Sequence, residues 1–269
     1  HNALIFAVAE ANPNTVVVLA GGAPVEMPWL PGVKAVLNLY LAGQAGGLAA
    51  AELLAGRVNP SGKLAESYPV RYADVPSAGF YERGGKQAQY REGIYVGYRY
   101  YDKAHKEVLF PFGYGLSYTQ FEYSHLKLSR TSLQDTDTLT VSLKVKNTGS
   151  YAGKEVVQIY VALPASRLFK PEKELREFGK VFLQPGEEKD VSFTLSKRAF
   201  AYWNVNLNDW HVESGAYQVL VGSSSRDIRL QTEVVVQSTA GEVEVPNYQE
   251  TAPLYYHLPQ GTLDIPLEQ

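Results

Sequence analysis

Residues Tyr90–Tyr123 read YREGIYVGYRYYDKAHKEVLFPFGYGLSYTQFEY, and the chain changes character across them. Before this stretch, helix-like and strand-like segments alternate. After it come only short strands and turns. The stretch is crowded with tyrosine: Tyr90, Tyr95, Tyr98, Tyr100, Tyr101, Tyr114, Tyr118 and Tyr123. It also contains the run Phe110-Pro111-Phe112-Gly113-Tyr114-Gly115. Proline fixes one backbone angle and glycine admits positive φ, so the run predicts a single fixed turn. Large rings around such a turn bury much apolar area between two bodies. The stretch therefore reads as a packed seam between two domains, with Phe110, Phe112, Tyr114 and Tyr118 as the packing residues. Its outer edge, Tyr90-Arg91-Glu92, is a candidate border of a ligand site.

Working upstream, His1–Ala11 reads as an amphipathic helix already in progress, with neither an initiator Met nor a basic segment before it. The expectation is a chain that begins inside a larger protein. Asn12-Pro13-Asn14 stops the helix, because proline disfavours a helical residue before it. Thr15–Ala20 is a short β-branched run, the mark of a strand buried on both faces. Val33–Leu39 reads as a second strand, Gln44–Leu54 as an Ala- and Leu-rich helix, and Asn59-Pro60-Ser61-Gly62 as a turn. This alternation predicts an α/β layer with a parallel sheet over residues 1–112. Two strands leave an open apolar edge, so further strands are expected before His1 or on another chain. Residues 66–89 lack regular signals and predict a long loop that lines a site or moves.

Downstream, Leu139–Lys146 alternates apolar and polar residues, as a strand with one buried face does. Glu155–Val161, Lys180–Leu183, Lys189–Leu195, Gly215–Gly222 and Ile228–Val236 are further strand candidates, with a proline–glycine turn at Gln184–Glu187. About seven short strands over residues 113–238 fit an immunoglobulin-like or fibronectin-type sandwich. Residues 239–269 form a tail in which Pro246, Pro253, Pro259 and Pro266 forbid long helices or central strands. Its Tyr248, Tyr255 and Tyr256 suggest a segment lying against a surface.

Composition narrows the chemistry. The chain has 269 residues, 45% of them hydrophobic and 20% charged, which is ordinary for a globular protein with two cores. A net charge of −3 gives no case for nucleic acid or an anionic membrane. No apolar run approaches a membrane span. There is no cysteine, which excludes disulfides and thiolate chemistry and leaves the compartment open. Gly56–Lys63 has a phosphate-loop flavour, but it is one residue too long and Leu64 replaces the required hydroxyl residue. His1, His105, His125, His211 and His257 are scattered without metal spacing, and no Gly-x-Ser-x-Gly elbow exists. Carboxylates remain: Glu26 after the first strand, and Glu66, Asp74, Glu82 and Glu92 in or beside the long loop. Glycoside hydrolysis needs two carboxyl groups facing each other across a bond. The sequence pairs none of these, and a solvated or ion-paired carboxylate is the commoner role of each.

Taken together, the motifs resemble the C-terminal half of glycoside hydrolase family 3, the β-glucosidase and β-xylosidase family. The resemblance runs through Asn12–Leu19, Gly22–Trp29, Gly43–Gly47, Gly56–Leu64, Glu92–Tyr101 and, most specifically, Phe110–Tyr118. It continues in Lys173-Glu174-Leu175, Leu183–Glu187 and Gly215–Gly222. It implies a partial α/β sandwich domain followed by a fibronectin type III-like β-sandwich. It also implies a parent that cleaves β-glycosides with retention, without a cofactor or metal. The family's nucleophile, a barrel aspartate, and its acid/base glutamate both fall outside residues 1–269 by this resemblance. The implied partners are a β-linked glycoside, the missing barrel and α/β half, and a further copy in a homo-oligomer. The rival expectation is a carbohydrate-binding or interaction module, which an exposed coplanar row of aromatic rings would favour.

Overall fold

The computed structural model describes residues 1–79, 81, 90, 92–241, 243–250 and 253. The first part begins with helix α1 (Asn2–Ala11), strand β1 (Val16–Leu19), strand β2 (Ala35–Asn38) and helix α2 (Gly46–Leu54). β1 and β2 pair in parallel, with Val16 opposite Ala35. Val17, Met27, Trp29 and Tyr68 form the small core beneath them. The opposite face is bare: Val16 and Val18 of β1, and Leu4, Phe6 and Val8 of α1, are exposed.

Residues 66–89 are more regular than their sequence predicts, as far as they are described. β3 (Tyr68–Pro69) pairs antiparallel with β4 (Val108–Phe110), and Tyr72–Asp74 makes one 3-10 turn. Two residues carry no periodicity, and the partner strand lies far along the chain, so the pairing leaves no local signal. Helix α3 (Tyr98–Lys103) was likewise hidden, inside a tyrosine-rich run of weak helix formers. Most of the remaining loop, and Tyr255 and Tyr256 of the tail, lie outside the described residues.

The second part comprises β5 (Phe121–Leu128), β6 (Ser132–Gln134), β7 (Leu139–Asn147), β8 (Gly153–Ala162), β9 (Glu174–Leu183) and β10 (Glu188–Leu195). A short helix α4 (Lys197–Phe200), the hairpin β11 (Tyr202–Asn204) and β12 (Asp209–His211), and strands β13 (Gly215–Gly222) and β14 (Ile228–Gln237) follow. A three-stranded sheet, β10-β7-β5, faces a five-stranded sheet, β6-β14-β13-β8-β9. Between them lie Leu139, Val141, Leu143 and Val145 of β7, Val157, Ile159 and Val161 of β8, and Val219 and Val221 of β13. This is the all-β sandwich that alternation predicts. β9 starts earlier than expected, because its first residues are charged: Glu174 meets Arg99 at 3.2 Å and Arg176 at 2.6 Å.

β8 is buried on both faces. Its inward residues fill the sandwich, while Gln158, Tyr160 and Ala162 on the other face are also buried. The first part of the chain covers them. The Tyr98 ring stacks on Phe112 at 4.9 Å and meets Tyr160 edge-on at 6.0 Å. The Gln158 amide donates to the carbonyls of Gly113 (3.2 Å) and Ser223 (2.7 Å), and its oxygen accepts the Tyr160 hydroxyl at 2.6 Å. Nearby, the buried Asp102 carboxylate receives Lys173 at 2.7 Å and Arg226 at 3.0 Å. Asn59 ties the same two parts together, donating to the Ala152 carbonyl at 3.0 Å and accepting the Tyr118 N–H at 2.8 Å.

Of the four expected seam residues, Phe112 alone stacks into this contact. Phe110 instead packs on Tyr68 and Tyr114 in the core of the first part. Tyr118 is exposed and donates its hydroxyl to the Leu53 carbonyl at 2.9 Å. The fixed turn is real, and Gly113 is its reason. Gly113 has φ +79°, and a Cβ there would stand 2.2 Å from the Gln158 side-chain oxygen. Gly113→Ala should therefore lose about 3 kcal/mol in denaturant titration, combining left-handed strain with overpacking. Gly186→Ala shares the positive φ, at +77°, but meets nothing within 4 Å. It should lose only about 1 kcal/mol. Equal losses would show that the Gln158 contact is not constraining.

Candidate functional site

Ligands of open α/β sheets bind beyond the carboxyl ends of the strands, where loops diverge. Here that rim follows Leu19 of β1 and Asn38 of β2. After β1 the chain is pinned by two buried residues, Met27 and Trp29. The Trp29 indole donates to Asn2 at 3.0 Å, which fixes the loop against α1. Glu26 lies exposed on that loop, and its carboxylate accepts the Tyr72 N–H at 2.6 Å.

After β2 the backbone adopts a strained form. Tyr40 has φ +48°, a region that L side chains rarely occupy and that clusters at functional sites. Its N–H is held by the Asn38 side chain at 3.3 Å, while the Asn38 amide donates to the Tyr68 hydroxyl at 2.8 Å. Burial pushes the Tyr40 phenol far up, and it also raises Tyr68. Glu66 lies within electrostatic reach of the two phenols, and burial pushes its carboxyl above the ordinary 4.5. No cation among the described residues pairs with it. Asn38, Tyr40, Glu66 and Tyr68 thus make a cluster of hydroxyl, amide and carboxyl groups at the strand ends. Such a cluster suits hydrogen bonding to a polar ligand. It holds no activated nucleophile.

The other carboxylates have structural partners. Asp74 pairs with Arg71 at 3.2 Å and Lys106 at 3.9 Å. Buried Glu155 pairs with Lys63 at 3.1 Å, and buried Glu213 accepts the Arg167 N–H at 2.9 Å. Tyr90 is 90% exposed, and the Glu92 carbonyl accepts the Tyr95 N–H at 3.0 Å. Arg91, Glu82 and His257 lie outside the described residues. His105 stands 3.8 Å from Glu172, and His125 contacts Ser124 at 2.9 Å. His211 is buried at the end of the hairpin strand β12, and that burial lowers its pKa. Among the described residues no group of three His, Cys, Asp or Glu could hold a metal.

Sequence reasoning singled out Glu26 and Glu66 but missed Asn38, Tyr40 and Tyr68. A tyrosine forced to positive φ has no sequence signature, since the neighbouring packing imposes it. The nearest available signal was position, and only for two of them: Asn38 lies at the end of the second predicted strand and Tyr40 follows it, whereas Tyr68 falls in the stretch without regular signals.

Comparison with known proteins places this geometry in a family. Residues 1–118 match the model described as the glycosyl hydrolase family 3 C-terminal domain, and residues 155–225 match the fibronectin type III-like domain. Thermostable beta-glucosidase B of Acetivibrio thermocellus is 56% identical over 89% of this chain and 32% of its own length. An exo-alpha-(1->6)-L-arabinopyranosidase of Bifidobacterium breve is 46% identical over 84% of this chain and 30% of its own. The crystal structure of a Bifidobacterium adolescentis beta-glucosidase superposes with a TM-score of 0.84 at 40% identity, over 96% of this chain and 38% of that one. The chain spans about a third of the length of the curated relatives it matches.

A raised Glu66 pKa means that the fold favours the protonated form. Stability from this group is then fullest below 4.5 and falls as pH rises through the higher folded value. A carboxyl carbon titration of the labelled chain should place the Glu66 midpoint above 4.5, and Glu66→Gln should remove that part of the pH dependence. A midpoint at or below 4.5 would remove the buried setting assigned to it.

Proposed function

We infer the function from one premise: this chain belongs to glycoside hydrolase family 3, of which it carries the C-terminal region. We propose that it is the accessory half of a retaining, exo-acting β-glycosidase. It shapes one side of a pocket whose nucleophile and acid/base are supplied from outside residues 1–269. The relatives' names support glycoside hydrolysis and leave the sugar open, since one is a beta-glucosidase and another an arabinopyranosidase.

The observation that carries this reading is the state of the carboxylates. Retaining hydrolysis needs two carboxyl groups about 5–5.5 Å apart on opposite sides of a glycosidic bond. In this chain Asp74, Asp102, Glu155, Glu174 and Glu213 are held by cations, hydroxyls or N–H groups within the fold. Glu26 is held by a backbone N–H, and burial raises the pKa of Glu66. A half-buried carboxyl within electrostatic reach of two phenols suits binding sugar hydroxyls better than forming a covalent intermediate. Tyr90, Arg91 and Glu92, with the loop 66–89, form the outer rim in this proposal, where an aromatic face stacks on a sugar and charged groups bond its hydroxyls. The exposed apolar faces of α1 and β1 are where the barrel-bearing half and the remaining α/β strands would pack.

The rival reading is a carbohydrate-binding module presenting a flat aromatic platform. The hairpin β11–β12 offers exposed Trp203 and half-buried Trp210, but their rings meet at 70° and Arg198 lies over the Trp210 face. Two sugars in a row need coplanar faces, so this pair favours the accessory-half reading.

The purified 269-residue chain should give no turnover of aryl β-glucoside or β-xyloside, whereas the full-length parent should turn over one of them. Fragment turnover that survives repurification and is lost in Glu26→Gln or Glu66→Gln would place the chemistry inside this chain. In the parent, Tyr90→Ala should raise KM by about tenfold, the effect of losing roughly 1.4 kcal/mol of sugar stacking, with kcat little changed. An unchanged KM would remove Tyr90 from the rim.

A further inference from the structure

A cleft of about 550 Å³ opens on the sandwich side of the seam. Its walls include Leu163, Leu168, Leu220 and Ile228, and its polar groups include the lysines Lys103, Lys170 and Lys173. None of the chemistry proposed above uses it.

The lysines differ in their partners. Lys173 is neutralised by Asp102 at 2.7 Å. Lys170 has no carboxylate or carbonyl partner among the described residues. Its ammonium lies 6.0 Å from the centre of the Tyr217 ring, at the outer limit of a cation–π contact. Lys103 also lacks a carboxylate partner among the described residues, and stands 4.8 Å from the Phe169 ring centre. The acids facing Lys170 are Glu174 and Glu213, with the cation Arg176 beside them. Both acids are already engaged: Glu174 by Arg99 and Arg176, and Glu213 by Ser166, Arg167 and the Arg167 N–H. Burial is strong enough to lower the Lys170 pKa despite these acids.

A charge taken out of water is retained in a fold when something neutralises it. Ring faces orient an ammonium without cancelling its charge. Glu172 also lines the cleft, but its carboxylate faces His105 at 3.8 Å. The amides of Gln218 and Gln231 add uncharged donors on the same walls. Two ammonium groups, amide donors and apolar sides together make an environment that suits a small anion with an apolar body better than a neutral ligand.

We propose that this cleft is a binding site for a small oxyanion, a phosphate or carboxylate group, held between Lys103 and Lys170. The lining of this cleft includes none of the strand-end rim residues, and the proposal is independent of which sugar the parent hydrolyses.

Titration of the 269-residue chain with inorganic phosphate, and separately with acetate, tests this at constant ionic strength set with chloride. Heteronuclear NMR of the lysine side chains gives the readout. Saturable shifts confined to Lys103 and Lys170 are expected. Lys170→Met and Lys103→Met should each weaken binding at least tenfold, and Lys170→Arg should restore much of it. Phosphate answering where acetate does not would identify a phosphate site, and the reverse a carboxylate site. Either result supports an oxyanion site. The melting temperatures guard against misfolding. Because each Met variant removes a cation without a carboxylate partner and keeps the apolar stem, it should melt within a few degrees of the parent chain without added anion. Linear, unsaturable shifts with both anions, or equal affinities in the parent chain and Lys170→Met, would overturn the proposal.

Discussion

The molecule depends on one strand being buried twice. β8 gives one face to the sandwich core and the other to the seam, so neither half of the chain is complete at this surface alone. A polar residue inside such a contact costs stability unless its hydrogen bonds are made. Gln158 makes them, donating to the carbonyls of Gly113 in the linking turn and Ser223 in the sandwich and accepting from the Tyr160 hydroxyl. Its reach to Gly113 requires a backbone without a side chain at that point, and the Phe110–Gly115 turn supplies it. The aromatic stack of Tyr98 on Phe112 then closes the apolar part of the contact.

Charge reinforces the same surface. Asp102 sits almost fully buried between Lys173 and Arg226, and Lys63 meets buried Glu155. Such buried pairs are weak evidence for net stability, because desolvation offsets much of the attraction. They do impose register: a shifted docking would leave a bare carboxylate in the seam. Orientation between the halves is therefore set by directional contacts, with apolar area supplying the main driving force. A rigid seam matters for the proposed function, since the strand-end rim must be held in place for whatever packs against it.

The rim shows how little chemistry this region performs alone. Its groups are phenols, an amide and two carboxyls, one engaged by a backbone N–H and the other desolvated. They are suited to recognition. The contrast with the lysine cleft is instructive: at the rim, neutral hydrogen-bonding groups are gathered with one protonation-shifted acid, whereas the cleft gathers cations whose nearby acids are occupied.

By itself the sequence determined the two-part architecture, because periodicity is local. The β-branched run at Thr15–Ala20, the alternation through Leu139–Lys146 and the proline–glycine turns each carry their own evidence. It also located the turn at Phe110–Gly115, and the ordered motifs that resemble family 3. Only the tertiary structure decided how the aromatic residues are arranged at the seam, assigning Phe110 inward and Phe112 to Tyr98, whose ring meets Tyr160 of the sandwich. It also revealed Gln158 as the link, and drew Asn38, Tyr40, Glu66 and Tyr68 into one cluster. These depend on contacts between residues far apart in the chain and on a positive φ at Tyr40 that no residue type announces. Pairing across distance is a property of the packed whole, so composition and spacing leave it open.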